Sequence, residues 1–561
     1  MKILGISLGH DSNFCIIEDG EIKYIIESER FFRQKHYKLQ SIKREEGNYN
    51  NGFQVCNTKD LKIILNQIKN KHGSTFDYIA VQNQKRAGEY NNLKTLLAAM
   101  GFKYKSIENF NHHLSHAAGA FFTSPFKDSL ILSFDGAGND GNSIILKGDR
   151  NKIKYIKRAS IKFGNSYNNL GYIGNIGADV SGCTAGKTMG ITSYGDIIDE
   201  WLPLIKKHIL SYSKARRKRV RGLSNYGKRH SIQWSHIDKI EELKSYMKGK
   251  DSKLDVHNKV YQDLGKTFQV AWTECVVDFL RKYSHISKNL CITGGCALNG
   301  VTNYVIEKSG LFEKVHFMPN PSDCGLSMGA ALLSYYKNSG SEFSGKSTYL
   351  SPYLGEDIYD KEKLPALKDS YKNKTISEAD CPGFLANLIC KDKIVGVIRG
   401  NSEIGPRALG NRSILCNSQN KEMRNILNEK VKNREWFRPF APVCTYEDSK
   451  KYFTNDNEIP YMSVICYTKD EHKESLPSVT HVDGSCRLQT ITKKQNAFLH
   501  STLKEIEKIN GLPICLNTSF NPGGEPILNY CEVGLQMLKD TDLDYVLIED
   551  TIFWQKEEND L

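Results

Sequence analysis

Apolar residues gather into short runs broken by glycine and polar turns from the start of the chain. Residues 2–8, 14–18 and 21–27 read as three strands. They are divided by the turn Gly9-His10-Asp11-Ser12 and by Asp19-Gly20, a dipeptide suited to a tight hairpin. NHHLSHAAGAFF (111–122) reads as a helix capped by Asn111, with His112 and His116 one turn apart on one face. LILSFDGAGNDGN follows as a strand closed by Asp135-Gly136. LCITGGCALNG (290–300) is a strand that ends at Gly294-Gly295 and runs into a helix. In VHFMPNPSDCGLSMGAALLSYY (315–336) a strand stops at Pro319, and Asp323 precedes a helix whose Gly325, Gly329, Ala330 and Ala331 allow close packing. An amphipathic helix is predicted over 256–283. Ser, Gly and Pro between 338 and 356 mark a linker, placed at 346–356, and KIVGVIRG (393–400) is the next strand. The pattern predicts an α/β protein with domains at 1–345 and 357–561, and no internal repeat stands out.

Bulk properties narrow the class. The chain has 561 residues, enough for two cores, with 39% hydrophobic and 25% charged residues, as in an ordinary globular protein. No apolar run approaches about 18 residues, so neither a membrane span nor a leader is expected. Fifteen cysteines without CxxC pairs fit a reducing compartment, and a cytoplasmic location is expected. Of the formal charge of +13, eight positives fall in 214–230, KARRKRVRGLSNYGKRH, which has no acid. A solvated loop and a site for an anionic partner (a nucleotide, a phosphorylated sugar or DNA) are the two readings of that segment.

Two sets of residues carry candidate chemistry. His112 and His116 can converge on one divalent ion, with Asp135 and Asp323 as oxygen ligands; two His and two Asp suit Fe2+, Zn2+ or Mn2+. Histidines hydrogen-bonded in a polar interior are the alternative. The first turn, with His10 and Asp11, can present backbone N–H groups to a phosphate. In the C-terminal third, Arg407, Arg412, Lys432, Arg438 and Arg487 stand beside Gly, Pro and aromatic residues, followed by Asn517, Ser519 and Asn521. Such arginines offer rigid bidentate forks to phosphate or carboxylate.

EIGPRALGNRSIL, REWFRPFAPV, THVDG-x-x-R-x-Q and LNTSFN, with NHHLSHA, FDGAG, GGCALN and SDCGLSMGAAL, occur in the order found in the NodU/CmcH family of O-carbamoyltransferases. The chain resembles that family over nearly its whole length. The resemblance implies an N-terminal actin/sugar-kinase-like (ASKHA) domain and a C-terminal YrdC-like domain. It implies that carbamoyl phosphate and ATP, with Mg2+, give carbamoyl-adenylate, whose carbamoyl group passes to an acceptor hydroxyl. It implies His112, His116, Asp135 and Asp323 as ligands of a transition metal, Fe2+ favoured over Zn2+ or Mn2+. His10 would lie beside the reacting carbonyl, and His10 or Asp11 would take the acceptor's proton. Gly136, Lys187, Gly294, Gly295 and Asn299 would border the nucleotide. Arg407, Arg412, Lys432, Arg438, Arg487, Asn517, Ser519 and Asn521 would hold carbamoyl phosphate and the triphosphate. The chain departs from the family in lacking a basic residue after Asn521, in the surroundings of Lys187, and through residues 200–260.

The favoured acceptor is a small molecule or sugar. A hydroxymethylated base in a nucleotide or DNA, reached through the basic segment, is the alternative, as is a threonylcarbamoyl-type tRNA-modifying enzyme. No membrane partner is expected, and a homodimer is allowed.

Overall fold

The computed structural model describes residues 1–44, 52–83, 92–179, 182–212, 218–219, 231–232, 234–248, 254–346 and 349–555. The basic segment 214–230 therefore lies outside the described residues, apart from the two-residue strand Lys218–Arg219, which pairs with Ser231–Ile232.

The N-terminal region is built on two five-stranded sheets. The first contains β1 (Lys2–Ser7), β2 (Asn13–Glu18), β3 (Glu21–Glu27), β4 (Tyr78–Asn83) and β5 (Ser106–Asn111), in the order β3-β2-β1-β4-β5. The second contains β6 (Asp128–Gly138), β7 (Gly141–Asp149), β8 (Lys152–Ala159), β9 (Asn289–Thr293) and β10 (Lys314–His316), in the order β8-β7-β6-β9-β10. In both, three antiparallel strands are followed by two parallel ones. The chain thus repeats one topology twice, the layout expected of an actin/sugar-kinase-type domain. That duplication lies in the connections and not in the residues, which is why no repeat stands out in the sequence.

The local reasons are ordinary ones. Asp19 and Gly20 both have positive φ (49° and 79°), the geometry of the β2–β3 hairpin turn. Five helices frame the N-terminal site: α1 (His112–Phe122), α2 (Phe163–Ile173), α3 (Ala185–Ile191), α4 (Lys259–Arg281) and α5 (Leu326–Asn338). α4 falls inside the amphipathic stretch expected at 256–283. α1 and α5 pack so closely that a Cβ on Gly329 would lie 1.8 Å from the Ser115 carbonyl oxygen, so that position admits only glycine. Three apolar clusters fill the N-terminal region, around Trp272, Phe121 and Leu65.

Beside a two-stranded sheet formed by Cys466–Tyr467 and Ser485–Cys486, the C-terminal region is built on an eight-stranded mixed sheet. Its strands are β11 (Lys372–Thr375), β12 (Val395–Ile398), β13 (Arg412–Asn417), β14 (Ala441–Thr445), β15 (Gln489–Ile491), β16 (Ile514–Ser519), β17 (Tyr545–Ile548) and β18 (Thr551–Trp554), in the order β11-β18-β17-β12-β13-β16-β14-β15. No helix among the described residues is long and apolar enough to cross a membrane.

Candidate functional site

The start of α1, the end of β6 and the turn before α5 meet at one point. Asn111 precedes α1, yet its side chain makes no capping bond. The first N–H groups of the helix are taken by the β6–β7 turn instead: His112 N donates to Asn139 Oδ1 at 2.9 Å and His113 N to Asp140 Oδ1 at 3.0 Å. Capping from 27 residues downstream locks α1 to β6 and sets the histidines opposite Asp135.

His112, His116, Asp135 and Asp323 each place a ligand atom within 4.8 Å of the others. His116 Nε2 lies 3.3 Å from Asp135 Oδ2 and 3.2 Å from Asp323 Oδ1; His112 Nε2 lies 3.9 and 3.6 Å from the same atoms. Two ligands bound to one ion at about 2.1 Å sit about 3.0–3.4 Å from each other, so this spacing is close to that of a coordination shell. His112 Nε2 is also buried without a hydrogen-bond partner. An inward-facing orphan nitrogen beside two carboxylates fits a divalent ion. The imidazole behind it is held by Gln82 (Nε2 to His112 Nδ1, 3.4 Å), which accepts from Ser7 Oγ at 3.1 Å. Asp135 Oδ2 also accepts from the Gly295 N–H at 2.9 Å.

The charges here compensate one another. Burial disfavours the charged His116, but Asp135 and Asp323 outweigh it and push the imidazole up to about 9. Burial would raise Asp135, and the two histidines instead hold it well below the usual carboxylate range. His113, between them in sequence, is spent elsewhere: Nδ1 meets Ser133 Oγ at 2.7 Å and Nε2 meets the Gly141 carbonyl at 3.1 Å.

The β1–β2 turn extends this cluster into a chain of contacts. His10 Nε2 is 3.1 Å from Asp323 Oδ2 and His10 Nδ1 is 2.8 Å from Asp11 Oδ2. Asp11 Oδ1 is 2.7 Å from His36 Nδ1, and His36 Nε2 is 3.0 Å from Asp179 Oδ2. Asp323, against the opposing effect of burial, pushes His10 up to about 10. His10 is half exposed, at 52%, so it opens the buried tetrad to ligands from outside. Sequence reasoning misses His36 and Asp179; His36 follows a lysine in a polar stretch that no periodicity marks.

Of the expected nucleotide-side residues, Gly136 borders open space, and Gly294 and Gly295 lie against Phe134 and Asp135. Two others are engaged within the protein. Asn299 caps the following helix, accepting from Thr302 N at 3.1 Å, and donates to Gln269 Oε1 at 3.1 Å. Lys187, on α3, pairs with Glu435 of the C-terminal region at 2.6 Å.

A second cluster forms in the C-terminal region from Arg407, Arg434, Arg438 and Arg487. Burial and the neighbouring Arg438 push Arg407 down to about 10. Burial, then Arg407, Arg434 and Arg438, hold Arg487 well below the usual guanidinium range. Arg487 Nε is buried with no partner, and Asn517 Oδ1 is another such atom. Arg434, not among the expected ligands, stacks 4.2 Å over Phe440 and donates through Nε to Asn428 Oδ1 at 2.7 Å. The carboxylate Glu435 is shared between Lys187 and Arg438, 3.5 Å from Arg438 Nη1.

The structure separates other residues from that role. Arg412 is fully buried, and its guanidinium is taken by Asn529 Oδ1 and by the carbonyls of Arg399, Asn411 and Gly400 at 2.7–2.9 Å. Contrary to expectation it ties β13 to neighbouring turns and offers no fork to a phosphate. Lys432 is likewise enclosed by Ser519 and Asn521, donating to the Asn521 carbonyl and Oδ1 at 2.9 Å each. Burial and Arg434 and Arg438 hold it well below the usual lysine range. Ser519 Oγ donates to Asn521 Oδ1, and Asn517 Nδ2 to Gln489 Oε1 at 2.7 Å.

Comparison with known proteins matches both regions of the chain to one family. Family models for the carbamoyltransferase N-terminus and the carbamoyltransferase C-terminus match residues 2–332 and 386–555. Nodulation protein NolNO of Sinorhizobium fredii is 28% identical over 96% of this chain and 78% of its own length. Nodulation protein U of the same organism is 27% identical over 93% of this chain and 94% of its own. The uncharacterized protein sll1178 of Synechocystis is 29% identical over 98% and 96%. Among solved structures, full-length HypF in its phosphate- and nucleotide-bound form aligns over 61% of this chain and 47% of that one, at 13% identity and a TM-score of 0.31. With family matches covering both regions, the chain belongs to the carbamoyltransferase family and is a carbamoyltransferase.

Proposed function

We propose that the chain activates carbamoyl phosphate with ATP at the arginine cluster and transfers the carbamoyl group to an acceptor hydroxyl at the His/Asp cluster. The observation that carries this reading is the set of guanidiniums without counter-charge. Arg407 and Arg487 have no ion-pair or hydrogen-bond partner among the described residues, and Arg407, Arg434 and Arg487 are all shifted toward losing charge. Buried like charges held this way are stabilised by a bound polyanion.

In the activation step, water cleaves carbamoyl phosphate to carbamate and phosphate. A carbamate oxygen then attacks the α-phosphorus of ATP, whose bond to the bridging oxygen breaks as pyrophosphate leaves. Arg407, Arg438 and Arg487, with Mg2+ on the triphosphate, offset the negative charge that grows on the departing oxygens. In the transfer step, the acceptor hydroxyl attacks the carbamoyl carbon and AMP leaves. His10 and Asp11, at the open edge of the tetrad, are placed to take the hydroxyl's proton. His112, His116, Asp135 and Asp323 would hold a divalent ion, Fe2+, Zn2+ or Mn2+, which when bound supplies positive charge beside the phosphate of the adenylate. The expected acceptor is a small molecule or sugar bearing a hydroxyl. The chain is divided between a transfer domain up to about residue 345 and a YrdC-like activating domain from about 357.

Purified enzyme supplied with ATP, carbamoyl phosphate and Mg2+ is expected to release pyrophosphate only when all are present, and AMP once an acceptor is added. Mass spectrometry across a panel of alcohols, sugars and hydroxymethylated nucleosides should then find one acceptor gaining a single carbamoyl group. ATP conversion to ADP in place of AMP would refute the activation step.

A further inference from the structure

Glu27 ends β3 and Arg30 follows three residues later. Both are buried, at 7% and 3% exposure, and Arg30 Nε lies 2.6 Å from Glu27 Oε2. The pair does not close on itself. Glu27 Oε1 accepts from the N–H of Gly405 at 2.7 Å, and Arg30 Nη2 donates to the carbonyl of the same residue at 2.6 Å. Two charged side chains of the N-terminal region therefore hold both backbone polar groups of one glycine in the C-terminal region.

That glycine has nowhere else to go. It sits at φ +88°, and a Cβ on it would lie 2.3 Å from the Pro319 carbonyl oxygen, so it is pinned between the ion pair and the segment leading to Asp323. On its other side Glu403 Oε1 accepts from the N–H groups of Leu409, Asn411 and Arg412, which rolls 403–412 into a closed loop. Arg407 lies in this loop, two residues beyond Gly405. It faces a cavity lined from the N-terminal region by Met318 and Pro321 and from the C-terminal region by Tyr461 and Met462.

A buried ion pair is a poor source of net stability, because desolvation of both charges offsets their attraction; its better attested use is to specify one arrangement. Here the arrangement specified is the loop that carries Arg407. We propose that Glu27 and Arg30 are positioning residues for Arg407, so that the N-terminal region sets one of the guanidiniums with which the C-terminal region binds its anionic substrate. This inference rests on the reading of Arg407 as an anion ligand. It implies that the activation half-reaction depends on residues that touch neither ATP nor carbamoyl phosphate. It also makes the loop a mechanical link between the arginine cluster and the segment bearing Asp323.

The test is a double-mutant cycle in the full-length protein, read by carbamoyl-phosphate-dependent exchange of pyrophosphate into ATP. It is run at pH 8.5, above the value of about 7 to which burial, opposed by Arg30, pushes Glu27. Arg30→Met is expected to lower kcat/KM for carbamoyl phosphate by about 10²-fold, the effect of displacing a clamping group by about 1 Å. The loss should appear mainly in KM for carbamoyl phosphate. In an Arg407→Ala background the same substitution should cost less than about twofold more, since the group it positions is gone. Glu27→Gln keeps an acceptor for the Gly405 N–H; it should lose less, and it carries the cycle if Arg30→Met does not fold. Equal losses with and without Arg407 would overturn the inference while leaving the activation chemistry standing. A wild-type enzyme that shows no exchange would overturn the activation chemistry itself, and the inference with it.

Discussion

The His112–His116–Asp135–Asp323 tetrad holds acids and bases in equal number, whereas Arg407, Arg434, Arg438 and Arg487 gather four cations beside one carboxylate that is already shared with Lys187. In the tetrad the opposite charges hold each other ionised: the carboxylates push His116 up to about 9, and the histidines hold Asp135 low. In the arginine cluster burial and neighbouring guanidiniums make Arg407, Arg434 and Arg487 easier to deprotonate, and Arg407 falls to about 10 through burial and Arg438. The tetrad can therefore keep its shape by internal contacts, with an ion replacing weak ones. The arginine cluster stores repulsion that only an anion relieves. On the proposed reading the difference separates their ligands, a cation at the first and a polyanion at the second.

The largest expected effect breaks the arginine side. Arg487→Ala should reduce carbamoyl-phosphate-dependent pyrophosphate release by about 10²–10³-fold, as removal of one donor from a preorganised charge-stabilising site does. It should leave the melting temperature of the ligand-free protein unchanged or raised, because a buried unpaired cation is deleted. A variant that loses activity in step with a fall in melting temperature would mark Arg487 as a structural arginine.

On the other side, His116→Ala should lower the divalent metal retained after purification from about one ion per chain to near zero, measured by inductively coupled plasma mass spectrometry. Transfer to the acceptor should fail while pyrophosphate exchange persists within a few-fold. If metal and transfer both survive, the tetrad is a hydrogen-bonded core; if exchange is lost too, the two regions are not separate sites.

Arg412 and Arg407 sharpen the comparison from inside one loop. Arg412→Ala strands the carbonyls of Arg399, Asn411 and Gly400 and should destabilise the fold by about 3–5 kcal/mol in urea unfolding. Arg407→Ala should change stability by less than about 1 kcal/mol and lower exchange by about 10²-fold, leaving a measurable residual rate. In sequence the two are equivalent, flanking the same glycine turn of GPRALGNR. What separates them is Glu403, which closes the loop by accepting three N–H groups, so that Arg412 turns into the sheet and Arg407 toward the cavity.

The tetrad is more legible in the sequence, for a geometric reason. Two histidines four residues apart in a helix share a face whatever the rest of the fold does, and acids at a strand end and a helix mouth have few places to point. The capping of α1 cannot be read at Asn111, because the real acceptors, Asn139 and Asp140, lie a full strand away. The doubled sheet topology leaves no trace in the residues, since strand order is set by which apolar faces pack and not by recurring side chains. Arg434 escapes a reading of the sequence because REWFR offers two arginines, and its stacking on Phe440 exists only once the chain folds back.

The smallest expected effect lies where the two regions meet, and its sign runs opposite to that of the tetrad carboxylate. Glu356 is buried between them: Gln67 Nε2 donates to it at 3.2 Å, Lys71 pairs with it, and its own carbonyl accepts from Ser402 N at 2.8 Å. Burial, with a smaller contribution from Asp357, pushes its carboxyl up to about 8. Between the ordinary glutamate range near 4.5 and about pH 8 the folded protein then binds more protons than the unfolded chain, so stability falls as pH rises through that window. Asp135 works the other way, its contribution being lost only as pH drops below the usual carboxylate range. Urea midpoints measured from pH 5 to 8.5 should therefore decline in the wild type, by at most about 1.4 kcal/mol per pH unit for one such group, and should decline less in Glu356→Gln. A Glu356→Gln protein with an unchanged slope would show that Lys71 holds the carboxylate ionised, and that the boundary between the regions is a paired contact like the tetrad.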